Sequence, residues 1–243
     1  MGVDADRVKA IRSNRRRWRR AGRATGFEVA DTHDMALATV EQQRIPSLMT
    51  RLDQRVLIGL ADQVRFGAAI EVGRFAGAVT ALLTLCGYKV WSIDKPRTRA
   101  DLMHHAPRLA DRYPGWRMIR DCAAATMADC GLDQAEREWM FADRDSRDPR
   151  AWPQRGGYDL VWIDGGHDAE TVFSDLNHGW HRLAPGRVMA LHDYDLALLV
   201  DPASGVDVGF GWWLDRCAEE GTAYDGPFAW TGSSIVWVVK AEG

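Results

Sequence analysis

The chain has 243 residues, 46% of them hydrophobic and 27% charged, and its formal net charge is −3 at pH 7. This composition is ordinary for a soluble globular protein, and the length suits one α/β domain with a small appendage. No apolar run approaches the roughly 20 residues that a membrane helix needs, and the basic N-terminus lacks the apolar stretch of a secretion signal. The four cysteines show no CxxC spacing, which argues against a disulfide framework or a zinc site and favours reduced thiols in a cytoplasmic protein.

Positive charge is concentrated at the N-terminus. Residues 1–25 contain nine Lys and Arg against two Asp, whereas the remaining residues contain 22 basic and 32 acidic side chains. The run "RSNRRRWRR" could bind a phosphate backbone or an acidic partner. The alternative is a basic helix that packs on the acidic body of its own or a neighbouring subunit. We favour the alternative and expect a homo-oligomer without a nucleic-acid partner, because nucleic-acid binders usually have a basic domain and not only a basic tail.

Helices are predicted before the first strand. Residues 5–24 are predicted to form a basic helix, and residues 33–65 are predicted to be helical with an interruption at Pro46. Apolar side chains recur at helical spacing in the second segment and indicate a buried stripe: Leu48, Leu52, Val56 and Leu60. We therefore divide the chain into an N-terminal helical extension, residues 1–65, and a main domain, residues 66–243. The extension should cover the site or an edge of the sheet.

Strands and helices alternate along the main domain. The predicted strands are "AAIEV", "KVWSID", "WRMIRDC", "YDLVWID", "GRVMALHD" and "SSIVWVVK"; the predicted helices are "GAVTALLTLCG", "DLMHHAPRLADRY" with a break at Pro107, Ala169 to Leu183, and "GFGWWLDRCAEEG". This alternation predicts right-handed crossovers and a doubly wound, mostly parallel sheet with helices on both faces. Two long segments, residues 132–157 and 194–209, do not fit the alternation; long loops of this kind tend to be functional or disordered, and both lie at or near the loops where such sheets bind ligands.

The first predicted strand leads into a glycine turn, "EVGRFAG", with Gly73 and Gly77 on either side of it. Glycine lets the backbone turn tightly and lets a ligand approach. The second strand ends in Asp94, and an acid about 20 residues after a glycine turn is placed to accept hydrogen bonds from ribose hydroxyls. Phe75 stands where a pyrophosphate-binding turn would have its middle glycine. The pattern therefore predicts a nucleoside-type ligand.

A polar pair closes the third predicted strand. Asp121 and Cys122 would there be close to an adenine amino group, which makes them candidate ligand-binding residues. The alternative is that Asp121 caps the helix that follows.

Two further apolar runs end in acid and histidine. Asp164 and His167 follow the fourth strand, and His192 and Asp193 follow the fifth. The ends of neighbouring parallel strands meet at one edge of a sheet, where ligands bind. Asp164, His192 and Asp193 therefore predict a site for a divalent cation such as Mg²⁺. The alternative is that the two acids are held by backbone amides and that Asp168 only caps the next helix.

The order "IEVGRFAG…VWSID…MIRDCA…YDLVWIDGGHDAETVFSDL…LAPGRVMALHD" resembles the class I S-adenosylmethionine-dependent methyltransferases. Within them it is similar to the branch with a DG-x-H…L-x-P-G-G…HD signature, which includes macrolide sugar O-methyltransferases and shares motifs with cephalosporin hydroxylase-type proteins. The resemblance covers about residues 66–195 and departs at Arg187, where the branch usually has a second glycine. It implies a Rossmann-like seven-stranded fold.

The resemblance also implies roles for individual residues. Glu71, Gly73, Asp94 and Asp121 would line the cofactor, together with their neighbours in the same motifs, and His167 would be the general base. Related metal-dependent enzymes have an acid at the position of His192, and a histidine there would favour Mn²⁺, Fe²⁺ or Zn²⁺ or weaken binding.

The function that follows is O-methylation of a small hydroxylated metabolite or sugar. An imidazole titrates near neutral pH and can accept the hydroxyl proton, while a bound metal would lower the pKa of that hydroxyl. Two alternatives are another metal-dependent, hydroxylase-like enzyme on the same scaffold, and a non-enzymatic binder of nucleic acid or a carrier protein that uses the arginine-rich helix.

Overall fold

The computed structural model describes residues 4–25, 27–29, 35–45, 47–64, 67–102, 111–132 and 139–242. The predicted boundary between residues 65 and 66, and the predicted helix breaks at Pro46 and Pro107, lie outside these ranges. No helix within them is long and apolar enough to cross a membrane. All four cysteines are free thiols.

Seven strands form one sheet in the order β3-β2-β1-β4-β5-β7-β6. They are β1 Ala68–Val72, β2 Lys89–Asp94, β3 Trp139–Asp143, β4 Tyr158–Ile163, β5 Leu183–Leu191, β6 Tyr224–Ala229 and β7 Val236–Lys240. The first five are parallel, and β7 runs antiparallel to both of its neighbours. The predicted doubly wound, mostly parallel sheet is confirmed. The strand order reverses between β1 and β4, which is where ligands bind in such sheets.

Helices cover both faces of the sheet. They are α1 Ala5–Ala24, α2 Met35–Gln42, α3 Arg51–Val64, α4 Ala78–Leu85, α5 Arg99–Leu102, α6 Ile119–Asp129, α7 Ala169–Arg182, α8 Leu196–Leu199 and α9 Val206–Glu220, with a 3₁₀ turn at Pro149–Ala151. Helices α2, α3 and α4 share one apolar cluster with the sheet, and α1, α7 and α9 share the cluster on the opposite face. The N-terminal helices therefore contribute to the same two cores as the strands.

The third strand was predicted in the wrong place. "WRMIRDC" does not form a strand, because α6 begins at Ile119 and the Asp121 carboxylate accepts hydrogen bonds from the backbone N–H groups of Arg117 (3.1 Å) and Met118 (3.0 Å). An Asp in the first turn that satisfies these free donors favours helix initiation. The observed β3, "WMFAD", lies in the segment predicted to be a loop and pairs in parallel with β2 from Val90↔Trp139 onward.

Strand β6 was not among the strands assigned from the sequence. It contains Gly226 and Pro227, which weaken the strand pattern, and its register shifts between Asp225 and Phe228. A proline is tolerated in a strand at the edge of a sheet, where its missing N–H is not needed, and β6 is such an edge strand.

Helix α1 packs on its own chain, as the favoured alternative for the basic segment predicts. Trp18 is buried and contacts the rings of Tyr194 and Phe210 at centroid distances of 5.0 and 5.7 Å. Arg7 pairs with Asp207 and Arg15 with Asp195. The outward cations of the helix are exposed to solvent: Lys9, Arg12, Arg16, Arg17 and Arg20.

The apolar stripe predicted before the first strand is only partly buried. Val56 and Leu60 are fully buried in α3, whereas Leu48 is 72% exposed. Leu48 precedes the start of α3 at Arg51, so the helical spacing does not extend to it.

Candidate active site

The turn after β1 brings the ends of β1 and β4 into contact. Gly73 has φ +94°, and a Cβ there would lie 1.8 Å from the carbonyl oxygen of Asp164. A side chain is therefore excluded both by the backbone conformation and by the neighbouring strand. The N–H of Phe75, which itself has φ 47°, donates to Asp94 Oδ2 at 2.8 Å. Asp94 at the end of β2 thus holds the glycine turn in place.

Two clefts open at this edge of the sheet. The first contains about 680 Å³ of empty space, part of it open to solvent, and its walls include Leu48, Met49 and Phe75 on the apolar side and Asp164, His167 and Asp193 on the polar side. The second encloses about 450 Å³ and extends between the segment after β3 and the start of α7. Four residues line both clefts: Gly73, Asp94, Arg97 and Gly165. The clefts are therefore two parts of one groove across the ends of β2, β1 and β4.

Only part of the predicted cofactor set lines this groove. Gly73 and Asp94 do. Glu71 is fully buried and accepts a hydrogen bond from the Thr80 hydroxyl, and burial raises the pKa of its carboxyl to about 7. Gly77 precedes α4 with φ 85°, and a Cβ there would be 3.1 Å from Ala123. These two residues support the groove from beneath.

Asp121 and Cys122, the polar pair predicted at the end of the third strand, do not line the groove. Asp121 caps α6 with its carboxylate. Cys122 is fully buried in a small apolar cluster, and burial raises the pKa of its thiol to about 12. The residues that follow the observed β3 and line the groove are Asp145, Ser146 and Arg147.

The ends of β4 and β5 lie side by side, as predicted. Asp164 N–H donates to Val72 O at 2.8 Å, and His192 N–H donates to Ile163 O at 3.0 Å. His192 Nδ1 lies 3.1 Å from Asp164 Oδ1 and 3.3 Å from Asp193 Oδ1. Its Nε2 lies 3.6 Å from a carboxylate of α3, Asp53 Oδ2.

His192 is buried among three carboxylates. Its side chain is 6% exposed. Burial by itself would lower the pKa of His192, but the carboxylates of Asp164, Asp193 and Asp53 raise that pKa well above the ordinary histidine value. These acids therefore favour the protonated form of the His192 ring, which would neutralise part of the negative charge that they bring together.

His167 and Asp193 form a second pair at the surface of the first cleft. His167 Nε2 is 3.3 Å from Asp193 Oδ2, and the His167 side chain is 41% exposed. The hydrogen bond to Asp193 is the main cause that raises the pKa of His167 above its ordinary value. Asp193 has φ 59°, an uncommon conformation for a non-glycine residue and one that often occurs at functional sites.

Among the described residues, one group of side chains could hold a metal ion, and it contains His167 where the sequence predicted His192. Asp164, His167 and Asp193 each offer one ligand atom, and these atoms lie within 4.8 Å of one another. Both ring nitrogens of His192 face carboxylates, whereas His167 is the more exposed histidine of the first cleft. His167 thus joins the predicted His192 as a candidate ligand for a divalent cation.

Several residues of the groove were not identified from the sequence. Ser47, Leu48 and Met49 reach it from the segment between α2 and α3, and Asp53 reaches His192 from α3. No local pattern marks them. The acidic end of "WMFAD" could have indicated the Asp145–Arg147 segment, because an apolar run that ends in acid had already marked β2 and β4.

Comparisons with known proteins agree with this geometry. A family model described as a methyltransferase domain matches residues 70–194. A search of curated proteins finds no match.

Among solved structures, this chain is similar to the O-methyltransferase TomG from Streptomyces achromogenes, involved in tomaymycin synthesis and solved with S-adenosylmethionine (14% identity, 94% of this chain and 99% of that chain, TM-score 0.56). It is also similar to an O-methyltransferase from Bacillus cereus in complex with S-adenosylhomocysteine (12%, 93% and 99%, 0.55), and to cofactor-bound Rv0187 from MTB (16%, 86% and 88%, 0.57). At these identities the likeness concerns the fold.

Proposed function

The chain belongs to the methyltransferase family whose domain model matches residues 70–194, and we propose that it transfers the methyl group of S-adenosylmethionine to a hydroxyl group of a small molecule. The observation that carries this proposal is the His167–Asp193 pair, with Nε2 and Oδ2 at 3.3 Å, beside Asp164 in the same cleft as the Gly73 turn. A base, its orienting acid and a nucleoside-type turn thus share one groove.

The cofactor would lie along the groove. Asp94 lines both clefts and would accept hydrogen bonds from the ribose. Asp145, Ser146 and Arg147 line the second cleft and would lie beside the adenine, in the role first predicted for Asp121 and Cys122. When bound, S-adenosylmethionine supplies a methyl group on a sulfonium centre, and the protein must align that centre with the acceptor oxygen.

His167 would act as the general base. Asp193 holds its Nε2, so Nδ1 is the nitrogen that can accept the hydroxyl proton while the methyl group moves from sulfur to oxygen. The raised pKa of His167 makes it a stronger base but requires a pH above that pKa for the neutral form. The wall of Leu48, Met49 and Phe75 would bind the apolar part of the acceptor and exclude water.

A divalent cation is compatible with part of this site. Asp164, His167 and Asp193 provide a mixed oxygen and nitrogen donor set of the kind that Mn²⁺, Fe²⁺ or Zn²⁺ accept more readily than Mg²⁺ does. Such an ion would lower the pKa of the acceptor hydroxyl. A nitrogen of His167 that is bound to a metal cannot also accept a proton. A chelator therefore distinguishes the two mechanisms: it would stop metal-assisted turnover, but it would not stop turnover that uses His167 only as a base.

Calorimetry with S-adenosylmethionine and S-adenosylhomocysteine tests the cofactor. We expect both to bind to the wild-type protein with and without a divalent cation. Transfer of a radiolabelled methyl group to catechols, phenols and sugars then tests the reaction, with and without chelator. Absence of binding to either cofactor form would refute the proposal, and full turnover in chelator would refute metal assistance while leaving His167 as base.

A further inference from the structure

We infer that Asp53, in helix α3, is a positioning residue of the active site, which fixes His192 and through it the carboxylates that face the acceptor. This inference rests on the proposed function. It makes the N-terminal helices part of the catalytic apparatus, beyond the covering role expected from the sequence.

Asp53 is buried, with 2% of its surface exposed, and its carboxylate has well-defined contacts. Oδ1 accepts hydrogen bonds from the Ser233 hydroxyl (2.6 Å) and the Ser234 N–H (3.0 Å), and Oδ2 accepts one from the Thr50 hydroxyl (2.6 Å). These bonds orient the carboxylate, and Oδ2 also lies 3.6 Å from His192 Nε2.

The contact with His192 is electrostatic. At 3.6 Å it exceeds hydrogen-bond length, and Nε2 is buried without a hydrogen-bond partner among the described residues. Asp53 is therefore the carboxylate that faces this end of the imidazole. A buried polar nitrogen that loses its polar neighbour keeps the cost of its desolvation.

The opposite end of the ring faces the reaction site. Nδ1 contacts Asp164 and Asp193, and the Trp162 ring lies against the imidazole with centroids 5.6 Å apart and planes inclined by 36°. The ring is thus held at both nitrogens and on one face. Asp193 in turn contacts His167, so an unbroken series of charged contacts leads from α3 to the proposed base.

A purely structural role is the competing explanation, because Asp53 also joins α3 to the segment between β6 and β7. Two substitutions separate the roles. Asp53→Asn keeps the shape and an oxygen that can accept from Ser233 and Ser234, but removes the charge that faces His192. Ser233→Ala removes one of the joining hydrogen bonds and leaves the carboxylate charged.

The measurements are the affinity for S-adenosylhomocysteine, kcat and KM with an acceptor found in the catechol, phenol and sugar panel, and the ¹⁵N resonances of the His192 ring. For Asp53→Asn we expect cofactor affinity within about twofold of wild type, a kcat lower by about 10- to 100-fold, as is typical when the outer partner of a site residue is lost, and a shifted Nε2 resonance. Ser233→Ala leaves the Ser234 N–H and Thr50 hydrogen bonds to the charged carboxylate in place, so it should lower the unfolding temperature, reduce kcat by a much smaller factor than Asp53→Asn does, and keep the Nε2 resonance.

The inference is overturned if Asp53→Asn keeps the wild-type kcat and Nε2 resonance, or if Ser233→Ala reduces kcat as much as Asp53→Asn does. A wild-type protein that transfers no methyl group to any acceptor counts against the proposed function instead. The Nε2 resonance then still decides whether Asp53 positions His192.

Discussion

Replacement of Gly73 by alanine tests the contact between the glycine turn and the catalytic edge. The new Cβ would lie 1.8 Å from the carbonyl oxygen of Asp164, whereas real Cβ contacts are not closer than 3.0 Å. The end of β4 would have to move by about 1.2 Å to relieve the clash. That movement would strain or break the bond from Asp164 N–H to Val72 O, which is 2.8 Å long.

Three contributions determine how much Gly73→Ala lowers the free energy of unfolding. An L-residue with positive φ costs about 1–2 kcal/mol, overpacking costs about 1–3 kcal/mol, and a lost hydrogen bond costs about 0.5–1.5 kcal/mol. We therefore expect Gly73→Ala to lower the free energy of unfolding by about 3–6 kcal/mol. Cofactor affinity should also fall, because Gly73 and Asp164 both line the first cleft.

Gly157→Ala is the matched control. Gly157 has φ +93°, close to the φ +94° of Gly73, but a Cβ there would meet no atom within 4 Å. Its alanine variant should lose only the conformational contribution of about 1–2 kcal/mol and bind S-adenosylhomocysteine normally. Urea unfolding and calorimetric titration of both variants measure the difference. If Gly73→Ala and Gly157→Ala lost the same stability and bound S-adenosylhomocysteine equally well, the expected clash between residue 73 and the end of β4 would be refuted.

Three further predictions follow from the site and the core. Asp94→Ala should weaken S-adenosylmethionine binding about tenfold or more, because each hydrogen bond to a charged group contributes roughly 1.5–3 kcal/mol; unchanged calorimetric affinity in a folded variant would remove the ribose assignment. His167→Ala should reduce kcat by about 10²–10⁴. Because Asp193 raises the pKa of His167, wild-type activity should fall as pH decreases through a value above the ordinary histidine pKa, and a pH–rate profile without this limb would contradict the assignment of the base. Trp18→Ala should cost about 3–5 kcal/mol in urea unfolding, whereas its exposed neighbour Arg17→Ala should change stability by less than about 0.5 kcal/mol; equal effects would mean that α1 is not part of the core.

The positions of five strands could be read from local sequence, and the last of them is β7 Val236–Lys240, which lies within the predicted run "SSIVWVVK". Strands β1, β2, β4 and β5 are short apolar runs followed by polar or glycine residues, and strands that are buried on both faces have this composition. Since the ends of neighbouring parallel strands meet at one edge, the proximity of Asp164 to His192 and Asp193 also followed from the sequence. The structure places His192 Nδ1 3.1 Å from Asp164 Oδ1 and ligand atoms of Asp164 and Asp193 within 4.8 Å of each other.

Strand β3 could not be identified in the same way. "WRMIRDC" and "WMFAD" are both short runs of mixed polarity, and only the second finds a partner strand, with Trp139 beside Val90 in β2. The first forms a helix because Asp121 caps it. Local composition does not distinguish the two, since strand propensity mainly reflects packing against neighbours that a single sequence does not reveal.

The environment of His192 depended entirely on tertiary structure. The sequence marked His192 as a metal ligand because it follows a buried strand beside an acid. The acid that faces its other nitrogen, Asp53, is 139 residues away in the chain and is oriented by Ser233 and Ser234. Contacts between residues so far apart arise from the packing of α3 and the β6–β7 segment around the end of β5. This packing raises the pKa of His192 well above the ordinary histidine value and buries its ring in the wall of the first cleft, where His167 is the more exposed of the two histidines.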